Sequence, residues 1–329
     1  MMYTKLRSLA TLAIVFMAGA TMNVSSTQAQ AIPKLEENYL HLPATPQSIK
    51  FQWLGDSVNS QWEPHTAMLI PVKLPNCPRQ FYMQFDLGAP SSLMYRNKLL
   101  AIQRKYPNAI QLNDSSKKML NFSFKAGKMP VLATEIVVQQ FDASTINWKD
   151  KNAVEIIGTI GADLIDGKVA IIDYPKKTIS LSDAVPQKLK ETVSFSGFMY
   201  ARRSVLLPSK IKGKQTMLYF DTGSSMYELL TDKKTSQSLA ISQSELIQSK
   251  VRSWDKILIA NSLASNERIE IAGVQIPLRY STYMEGVSNA QVKQMMKMGI
   301  GGMTGNKLFL DYKLILDTKN KQFGLVSSR

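Results

Sequence analysis

Two segments of the chain are diverged copies of one strand and its turn. The first is Gln84–Ser92 and the second is Tyr219–Ser225. In each copy an apolar run ends at an aspartate, Asp86 or Asp221, and a glycine follows two residues later. Two close carboxyl groups cannot both ionise easily, so they share one proton. One carboxyl group can then act as a base toward a water molecule while the other acts as an acid toward a substrate.

The similarity between the copies extends on both sides of the aspartates, with a period of roughly 140 residues that suits a duplicated lobe. Upstream, two short apolar stretches flank a polar turn, which predicts a β-hairpin that delivers the aspartate. These stretches are Ala67–Leu74 and Phe81–Phe85 in the first copy, and Ser204–Pro208 and Thr216–Phe220 in the second. Downstream, the sequence predicts a short helix over Lys98–Lys105 and another over Leu230–Leu239.

Both copies also close in the same way, with a glycine-bearing loop, a short helix, an apolar strand, a turn and a last strand. The closing segments are Gly158–Leu181 and Gly302–Leu325. Between the copies lies a polar, proline-bearing stretch, Ser182–Thr192, which is the natural boundary between two lobes. Because most strands are short and bounded by turns, the sequence predicts a mainly β fold.

The N-terminus carries the three parts of a targeting segment. Lys5 and Arg7 form a positive region, Leu9–Ala20 is a short apolar stretch, and Ala29–Ala31 is an A-x-A cleavage signal. The apolar stretch is too short to span a membrane, and no second apolar run is long enough to do so. The sequence therefore predicts export by a signal peptide, a periplasmic or secreted mature protein, and no transmembrane segment.

These boundaries give the predicted organisation of the chain. It consists of a signal peptide at 1–31, a lead-in segment at 32–66, an N-terminal lobe at 67–184, a linker at 185–193 and a C-terminal lobe at 194–329. Residues Ile32–Gln61 show no firm pattern. These residues are compatible with a lead-in strand and with a removable pro-segment.

The composition excludes several kinds of site. Cys77 is the single cysteine, and His41 and His65 are the only histidines among 329 residues. An internal disulfide is therefore impossible, and a Cys/His metal site or a Ser-His-Asp arrangement has too few residues to build on. We expect no metal and no cofactor.

The charge of the chain is strongly basic. The formal net charge is +15, and removal of Lys5 and Arg7 with the signal peptide leaves 15 − 2 = +13. The lysines are scattered along the chain, and aromatic residues are not interleaved with them as in a groove that binds single-stranded nucleic acid. This pattern favours a solvated basic surface and no nucleic-acid partner.

The two aspartate segments resemble those of the aspartic peptidases of the pepsin and retropepsin type. The strongest element is Phe220–Ser225, which contains D-T-G-S and is paired with the weaker D-L-G-A copy that begins at Asp86. The resemblance covers roughly Ala67–Leu325. It implies a pepsin-like acid-protease fold of two homologous β-barrel-like lobes with a few short helices. It also implies that Asp86 and Asp221 are catalytic and hold one water molecule between them.

The same resemblance assigns supporting roles in the two loops. Gly88 and Gly223 would allow the tight turns and the close approach of the loops. The Thr222 hydroxyl would bond across to the opposite loop, whereas Leu87 at the equivalent position has no hydroxyl, so half of this interlock is missing.

The residues that follow the glycines also differ between the copies. Ser224 would donate a hydrogen bond to its aspartate, and Ala89 would not. The missing bond tends to raise the pKa of Asp86, so we expect the pair to work nearer to neutral pH than pepsin does. A flap hairpin over the site is also implied, with Asn121–Val138 and its turn at Lys125–Lys128 as the candidate.

Two functions follow from these observations. The first is a secreted aspartic endopeptidase that acts on polypeptides, as a monomer because one chain supplies both aspartates. The second is a catalytically impaired binding or inhibitor-like protein on the same fold, since the loss of a buried hydroxyl contact at Leu87 costs on the order of 1 kcal/mol and loosens the loop. The separation of the two carboxyl groups discriminates between them.

Overall fold

The structure is a computed structural model that describes residues 37–113, 115–141, 143–253 and 256–327. The predicted signal peptide at 1–31 lies outside the described residues. The α-helices are α1 (Arg96–Lys105), α2 (Gln187–Thr192), α3 (Lys233–Leu239) and α4 (Asn289–Lys297), and 3-10 turns lie at Ala162–Leu164, Thr222–Ser224 and Asn306–Phe309. No helix in the described ranges has the length and apolar character needed to cross a membrane.

Strands make up most of the regular structure. In the first half of the chain they are β1 (Leu40–His41), β2 (Gln47–Lys50), β3 (Gln52–Val58), β4 (Gln61–Lys73), β5 (Gln80–Phe85), β6 (Leu93–Tyr95), β7 (Lys118–Ala126), β8 (Met129–Gln139), β9 (Ile156–Ile160), β10 (Val169–Asp173) and β11 (Thr178–Ser182). In the second half they are β12 (Phe195–Gly197), β13 (Met199–Ala201), β14 (Ser204–Ile211), β15 (Lys214–Phe220), β16 (Leu229–Leu230), β17 (Ile247–Ser253), β18 (Lys256–Ala264), β19 (Arg268–Ile271), β20 (Val274–Pro277), β21 (Tyr280–Glu285), β22 (Ile300–Thr304), β23 (Tyr312–Asp317) and β24 (Gln322–Ser327).

Each half forms one main sheet, and the two sheets share a central strand order. The first contains β4-β5-β9-β6-β8 and the second contains β14-β15-β22-β16-β21. In both orders the successive pairings after the hairpin are parallel, antiparallel and parallel. We call these halves the first lobe and the second lobe. Their matching topology confirms the predicted mainly β fold of two lobes that are built alike.

A third sheet, ordered β12-β24-β23-β10-β11-β2, joins the lobes. Its centre is the antiparallel pair β10–β23, in which Ile171 faces Ile315. The strands on either side are arranged alike, because β2 flanks β11 at one edge just as β12 flanks β24 at the other. Residues 47–50 and 195–197 thus occupy equivalent places, each as a strand that leads into its lobe.

The predicted hairpins that deliver the aspartates are confirmed, and the predicted helices shift slightly. Strands β4 and β5 pair antiparallel, as do β14 and β15. Helix α1 begins two residues earlier than predicted. Helix α3 begins three residues later, because Leu229–Leu230 is taken into the sheet as β16 and Asp232 caps the helix by accepting the Thr235 N–H at 3.1 Å.

The predicted flap was wrong in its position. Strands β7 and β8 do form a hairpin, but the turn lies against β4, where Gly127 N–H donates to Pro71 O at 2.7 Å. Pro71 pairs with Tyr82 near the start of β5, whereas Asp86 follows the end of that strand. The β4–β7 pairing therefore holds this turn away from the aspartates.

A different hairpin of the first lobe reaches the second lobe. It is formed by β3 and β4, which turn at Asn59 and Ser60. The Asn59 side-chain amide donates to the Gln248 carbonyl, and Lys307 Nζ lies 2.5 Å from Glu63 Oε2. We call this element the bridging hairpin.

Candidate active site

The two aspartates occupy equivalent backbone positions in the two lobes. Asp86 follows β5, and its N–H donates to Ile160 O of the parallel strand β9 at 2.9 Å. Asp221 follows β15, and its N–H donates to Thr304 O of β22, also at 2.9 Å. Each aspartate is therefore fixed at the point where two parallel strands end.

The glycines in the loops are required by the close approach of the lobes. A Cβ atom at Gly88 would lie 2.7 Å from Asp221 Oδ1, and one at Gly223 would lie 2.5 Å from Asp86 Oδ1. Both distances are shorter than the van der Waals contacts of a Cβ atom allow. Each glycine thus makes room for the carboxyl group that comes from the opposite lobe.

The carboxyl groups of Asp86 and Asp221 are brought together and hydrogen-bonded to each other. The Gly88 N–H donates to Asp86 Oδ1 at 2.9 Å and to Asp221 Oδ1 at 3.1 Å. The Gly223 N–H donates to Asp221 Oδ1 at 2.8 Å. Asp86 is 1% exposed and Asp221 is fully buried. The two carboxyl groups are therefore close enough to share a proton, as the sequence analysis requires.

The surroundings of the two carboxyl groups are unequal. The Ser224 hydroxyl donates to Asp221 Oδ2 at 2.8 Å, and Ala89 offers Asp86 no such group. Burial and then the charge of Asp221 raise the pKa of Asp86 well above its usual range. Burial also raises the pKa of Asp221, but the hydrogen bonds from Ser224, Asp86 and the loop N–H groups oppose that rise. The surroundings therefore favour the proton on Asp86 and the negative charge on Asp221.

The interlock between the loops is present in one direction. The Thr222 hydroxyl accepts the Leu87 N–H at 2.8 Å and donates to Phe85 O at 2.9 Å. Thr222 is fully buried, so these bonds are shielded from water. Leu87 at the equivalent position is 1% exposed and belongs to the apolar core. One lobe therefore holds the loop of the other through Thr222, and the return contact is replaced by apolar packing.

All the residues that the sequence singled out lie in this one place. Those that meet at the lobe boundary are Asp86, Leu87, Gly88, Ala89, Asp221, Thr222, Gly223 and Ser224. Ala89 packs behind the first loop, where its carbonyl accepts the Ala162 N–H at 2.8 Å.

Sequence reasoning missed Arg203, a buried cation that crosses between the lobes. The guanidinium donates to Asp166 Oδ2 through Nε at 3.0 Å, and through Nη1 to Ser91 Oγ at 3.0 Å and Pro90 O at 3.3 Å. Its side chain is 2% exposed. Arg203 comes from the second lobe and thereby fixes the loop that follows Asp86. A basic residue ahead of a strand has no distinctive pattern, so the sequence contains no signal for this role.

A buried carboxylate, Asp163, supports the same loop from behind. It accepts the Ser92 N–H at 2.6 Å and the Ser92 hydroxyl at 2.7 Å, and that hydroxyl accepts the Gly161 N–H at 3.0 Å. Burial raises the pKa of Asp163 to about 6, although the bonds from Ser92 oppose the rise. Asp163 lies in the glycine-bearing loop with which the first copy closes. Its place in that repeated loop was the feature of the sequence that could have indicated a supporting role.

The second loop is supported by an amide instead of a carboxylate. The Asn306 side chain donates to Thr222 O and to Ser225 Oγ, both at 3.0 Å, and accepts the Tyr174 hydroxyl at 2.8 Å. Within the described ranges no group of three or more His, Cys, Asp or Glu side chains could hold a metal ion. The chemistry that the site offers is that of a carboxyl pair with one shared proton.

Comparison with known proteins gives a likeness to solved structures. No protein-family model matches the sequence, and no curated protein matches it. Among solved structures, the crystal structure of an aspartic proteinase from Irpex lacteus is similar, with a TM-score of 0.48 and 11% sequence identity over 86% of this chain and 97% of that chain. The matching strand orders of the two lobes are evident from the structure alone.

Proposed function

We propose that the chain is an aspartic endopeptidase that hydrolyses peptide bonds through a water molecule held by Asp86 and Asp221. The observation that carries this proposal is the hydrogen-bonded carboxyl pair with unequal surroundings. Such a pair supplies a base and an acid at the same place, which is the requirement for attack by water without a covalent intermediate.

The unequal surroundings assign a role to each carboxyl group. The ionised Asp221 accepts a proton from the water molecule as the oxygen of that water forms a bond to the carbonyl carbon. Asp86 gives its proton to the carbonyl oxygen, which yields a tetrahedral diol. In the second step one diol hydroxyl returns its proton to Asp86, Asp221 gives its proton to the amide nitrogen, and the carbon–nitrogen bond breaks. The products are a carboxylic acid and an amine, and the pair again holds one proton.

Entry of a substrate requires the site to open. Both carboxyl groups are closed to solvent in this structure. A second candidate function, a catalytically impaired binding or inhibitor-like protein, is favoured by this closure together with the missing hydroxyl at Leu87. The two candidates share the fold and differ in whether a peptide bond is broken.

Proteolysis by matched variants tests the proposal. An unfolded protein would be incubated at about pH 3 to 8, a range that brackets the pKa values of carboxyl pairs, with the wild type, Asp86→Asn and Asp221→Asn. Asp183→Asn is the control, because Asp183 is an exposed partner of Lys168 on the surface. We expect cleavage by the wild type and the control and none by the two site variants. Absence of cleavage by the folded wild type at every pH would favour the binding protein.

We also propose that the protein acts outside the cytoplasm, either in the periplasm or as a secreted protein. The support is the positive region, apolar stretch and A-x-A signal within residues 1–31. Expression of the full chain in a bacterial host and N-terminal sequencing of the exported protein should give Ile32 as the first residue. Retention of the whole chain in the cytoplasm would contradict this proposal.

The proposed working form is a monomer, since one chain supplies both aspartates. Light scattering of the purified protein should give the mass of one chain over a range of concentrations. A mass of two chains would contradict this form.

A further inference from the structure

A cavity of about 290 Å³ lies between the bridging hairpin and the second lobe. The hairpin wall includes Trp62 and Glu63, and the wall of the second lobe includes Tyr227, Glu228 and Lys307. The volume is at the lower end of ligand pockets, which hold roughly 300 to 1,000 Å³, so it suits a side chain better than a whole small molecule.

The cavity lies beside the Asp221 loop. The Tyr227 N–H donates to Ser224 O at 3.1 Å, and the Lys307 N–H donates to Ser225 O at 3.0 Å. Its walls come from both lobes, as those of a substrate groove between two lobes must. Residues bonded to the backbone of the Asp221 loop therefore line it.

Two buried polar atoms belong to residues that line the cavity, and neither atom has a hydrogen-bond partner among the described residues. They are the Tyr227 hydroxyl and Glu228 Oε1, on side chains whose residues are 4% and 3% exposed. The other oxygen of Glu228 is satisfied, since Oε2 accepts the Arg279 N–H at 2.6 Å and the Tyr280 N–H at 3.1 Å. A buried polar atom without a partner is costly to the folded state, so this arrangement points to a ligand that supplies the missing bonds.

The unsatisfied atoms define the chemistry of that ligand. Glu228 Oε1 can only accept from a donor when ionised, and the Tyr227 hydroxyl can accept as well. Lys307 is paired with Glu63, so the Glu228 carboxyl group decides the preference, although burial raises its pKa. An in-chain cation already approaches Glu228, because Arg279 Nε lies 3.6 Å from Oε1, too far for a hydrogen bond. A negatively charged ligand would face this carboxylate at close range.

The rim of the cavity is apolar and exposed. Trp62 is 67% exposed, Tyr280 40% and Ile247 38%. A ligand with an apolar stem and a cationic tip fits both features, because the stem covers the rim and the tip reaches the buried oxygens.

We propose that this cavity is a specificity site for a lysine or arginine side chain of the polypeptide substrate, whose cationic tip donates to Glu228 Oε1 and the Tyr227 hydroxyl. This inference rests on the proposed function only in that the ligand is a polypeptide. It does not require that the peptide bond is cleaved.

Peptide binding tests the site without any need for cleavage. The probes are acetylated pentapeptide amides of alanine in which the central residue is lysine, arginine, norleucine or glutamate. Dissociation constants would be measured by calorimetry with the mature Asp221→Asn protein, which cannot turn the probes over. We expect lysine and arginine to bind about tenfold tighter than norleucine, the size expected of hydrogen bonds to a charged group. Equal binding of lysine and norleucine, or tighter binding of glutamate, would overturn the proposal.

Two variants then separate the site from general peptide affinity. In Glu228→Gln the preference for lysine should fall to within about twofold, because the charge that holds the tip is gone. Tyr227→Phe should lower the preference and raise Tm, since it removes a buried hydroxyl that has no partner in the free protein. Glu270→Gln, which alters a surface pair with Lys210, is the matched control and should change neither quantity.

The outcomes distinguish this proposal from the proposed function. Lysine-selective binding that Tyr227→Phe weakens, in a protein that cleaves nothing, would support the site and contradict the peptidase. Cleavage of unfolded protein without any preference for lysine or arginine would support the peptidase and contradict the site. A preference that survives in both variants would also overturn the site, and Tyr227→Phe decides alone if Glu228→Gln does not fold.

Discussion

Thr222 and Leu87 occupy equivalent positions in the two aspartate loops. The Thr222 side chain donates one hydrogen bond and accepts another across the lobe boundary, whereas the Leu87 side chain can form no hydrogen bond. The Thr222 hydroxyl accepts the Leu87 N–H and donates to Phe85 O. The loop of Asp86 is therefore held by polar bonds from the second lobe. The loop of Asp221 is held instead by its own serine and by Asn306.

Replacement of Thr222 by valine tests whether the loop of Asp86 depends on the hydrogen bonds of Thr222. The change keeps the shape of the side chain but leaves two buried backbone groups without their partner, so we expect a loss of about 2 to 4 kcal/mol in the free energy of unfolding. Leu87→Met is the matched control, because a volume-conserving apolar change costs less than about 1.5 kcal/mol. Urea unfolding measures both, and equal losses would contradict the one-sided interlock.

Asp163 should make the protein less stable as the pH rises. Its pKa is raised from 3.8 to about 6 in the folded protein. The stabilisation is therefore complete below pH 3.8 and is lost as the pH rises through 6. Two pKa units correspond to about 3 kcal/mol. In Asp163→Asn this part of the pH dependence should vanish, so the difference in unfolding free energy between variant and wild type should change by about 3 kcal/mol from about pH 4 to 7. A constant difference would refute the assignment.

The pair of Lys307 and Glu63 should show the opposite pH dependence. Although burial opposes it, hydrogen bonds from His65 and Lys307 lower the pKa of Glu63 to about 2. This stabilisation is present above the ordinary pKa of 4.5 and is lost as the pH falls through 2. Because the side chains of Lys307 and Glu63 are 25% and 16% exposed, solvent screens the pair in part, and we expect Lys307→Met to cost about 1 kcal/mol near neutral pH and less in acid. A double-mutant cycle with Glu63→Gln checks the coupling, and additive losses at neutral pH would count against it.

Arg203 should contribute strongly to the stability of the first loop. Its guanidinium is buried and paired with Asp166, and it donates to Ser91 and Pro90. Arg203→Met removes the cation from a buried pair, so we expect a loss of about 3 to 5 kcal/mol. Arg203→Lys should recover only part of it, because lysine lacks the fork that reaches several acceptors. Full recovery by lysine would show that charge alone matters.

Local features of the sequence were sufficient to predict the core of this site. In each copy the apolar stretches and the turn residues between them lie within a few positions of each other. The hairpins before Asp86 and Asp221 could therefore be predicted from the local sequence. The half interlock followed from the presence of a hydroxyl at Thr222 and its absence at Leu87. These inferences depend on chemistry within one segment and on the equivalence of two segments.

Features set by strand register could not be predicted in the same way. The hairpin of β7 and β8 was recognised, but its turn is placed by the pairing of Ala126 with Val72, which no local pattern reveals. The bridging hairpin was missed because residues 52–61 show no firm alternation and acquire their place from contacts with the second lobe. Arg203 and the cavity at Tyr227 likewise depend on residues that are far apart in the chain.

The pH dependence of proteolysis tests the central claim, that Asp86 and Asp221 share one proton and hydrolyse peptide bonds. The rate of cleavage of an unfolded protein would be followed from about pH 3 to 8. We expect a bell-shaped profile whose two limbs belong to the pair, with its maximum above about pH 3 because Asp86 lacks a serine partner, and no activity in Asp221→Asn. A maximum below about pH 3 would contradict the asymmetry of the pair. A profile that survives unchanged in Asp221→Asn, or no cleavage by the folded wild type at any pH, would contradict the claim itself.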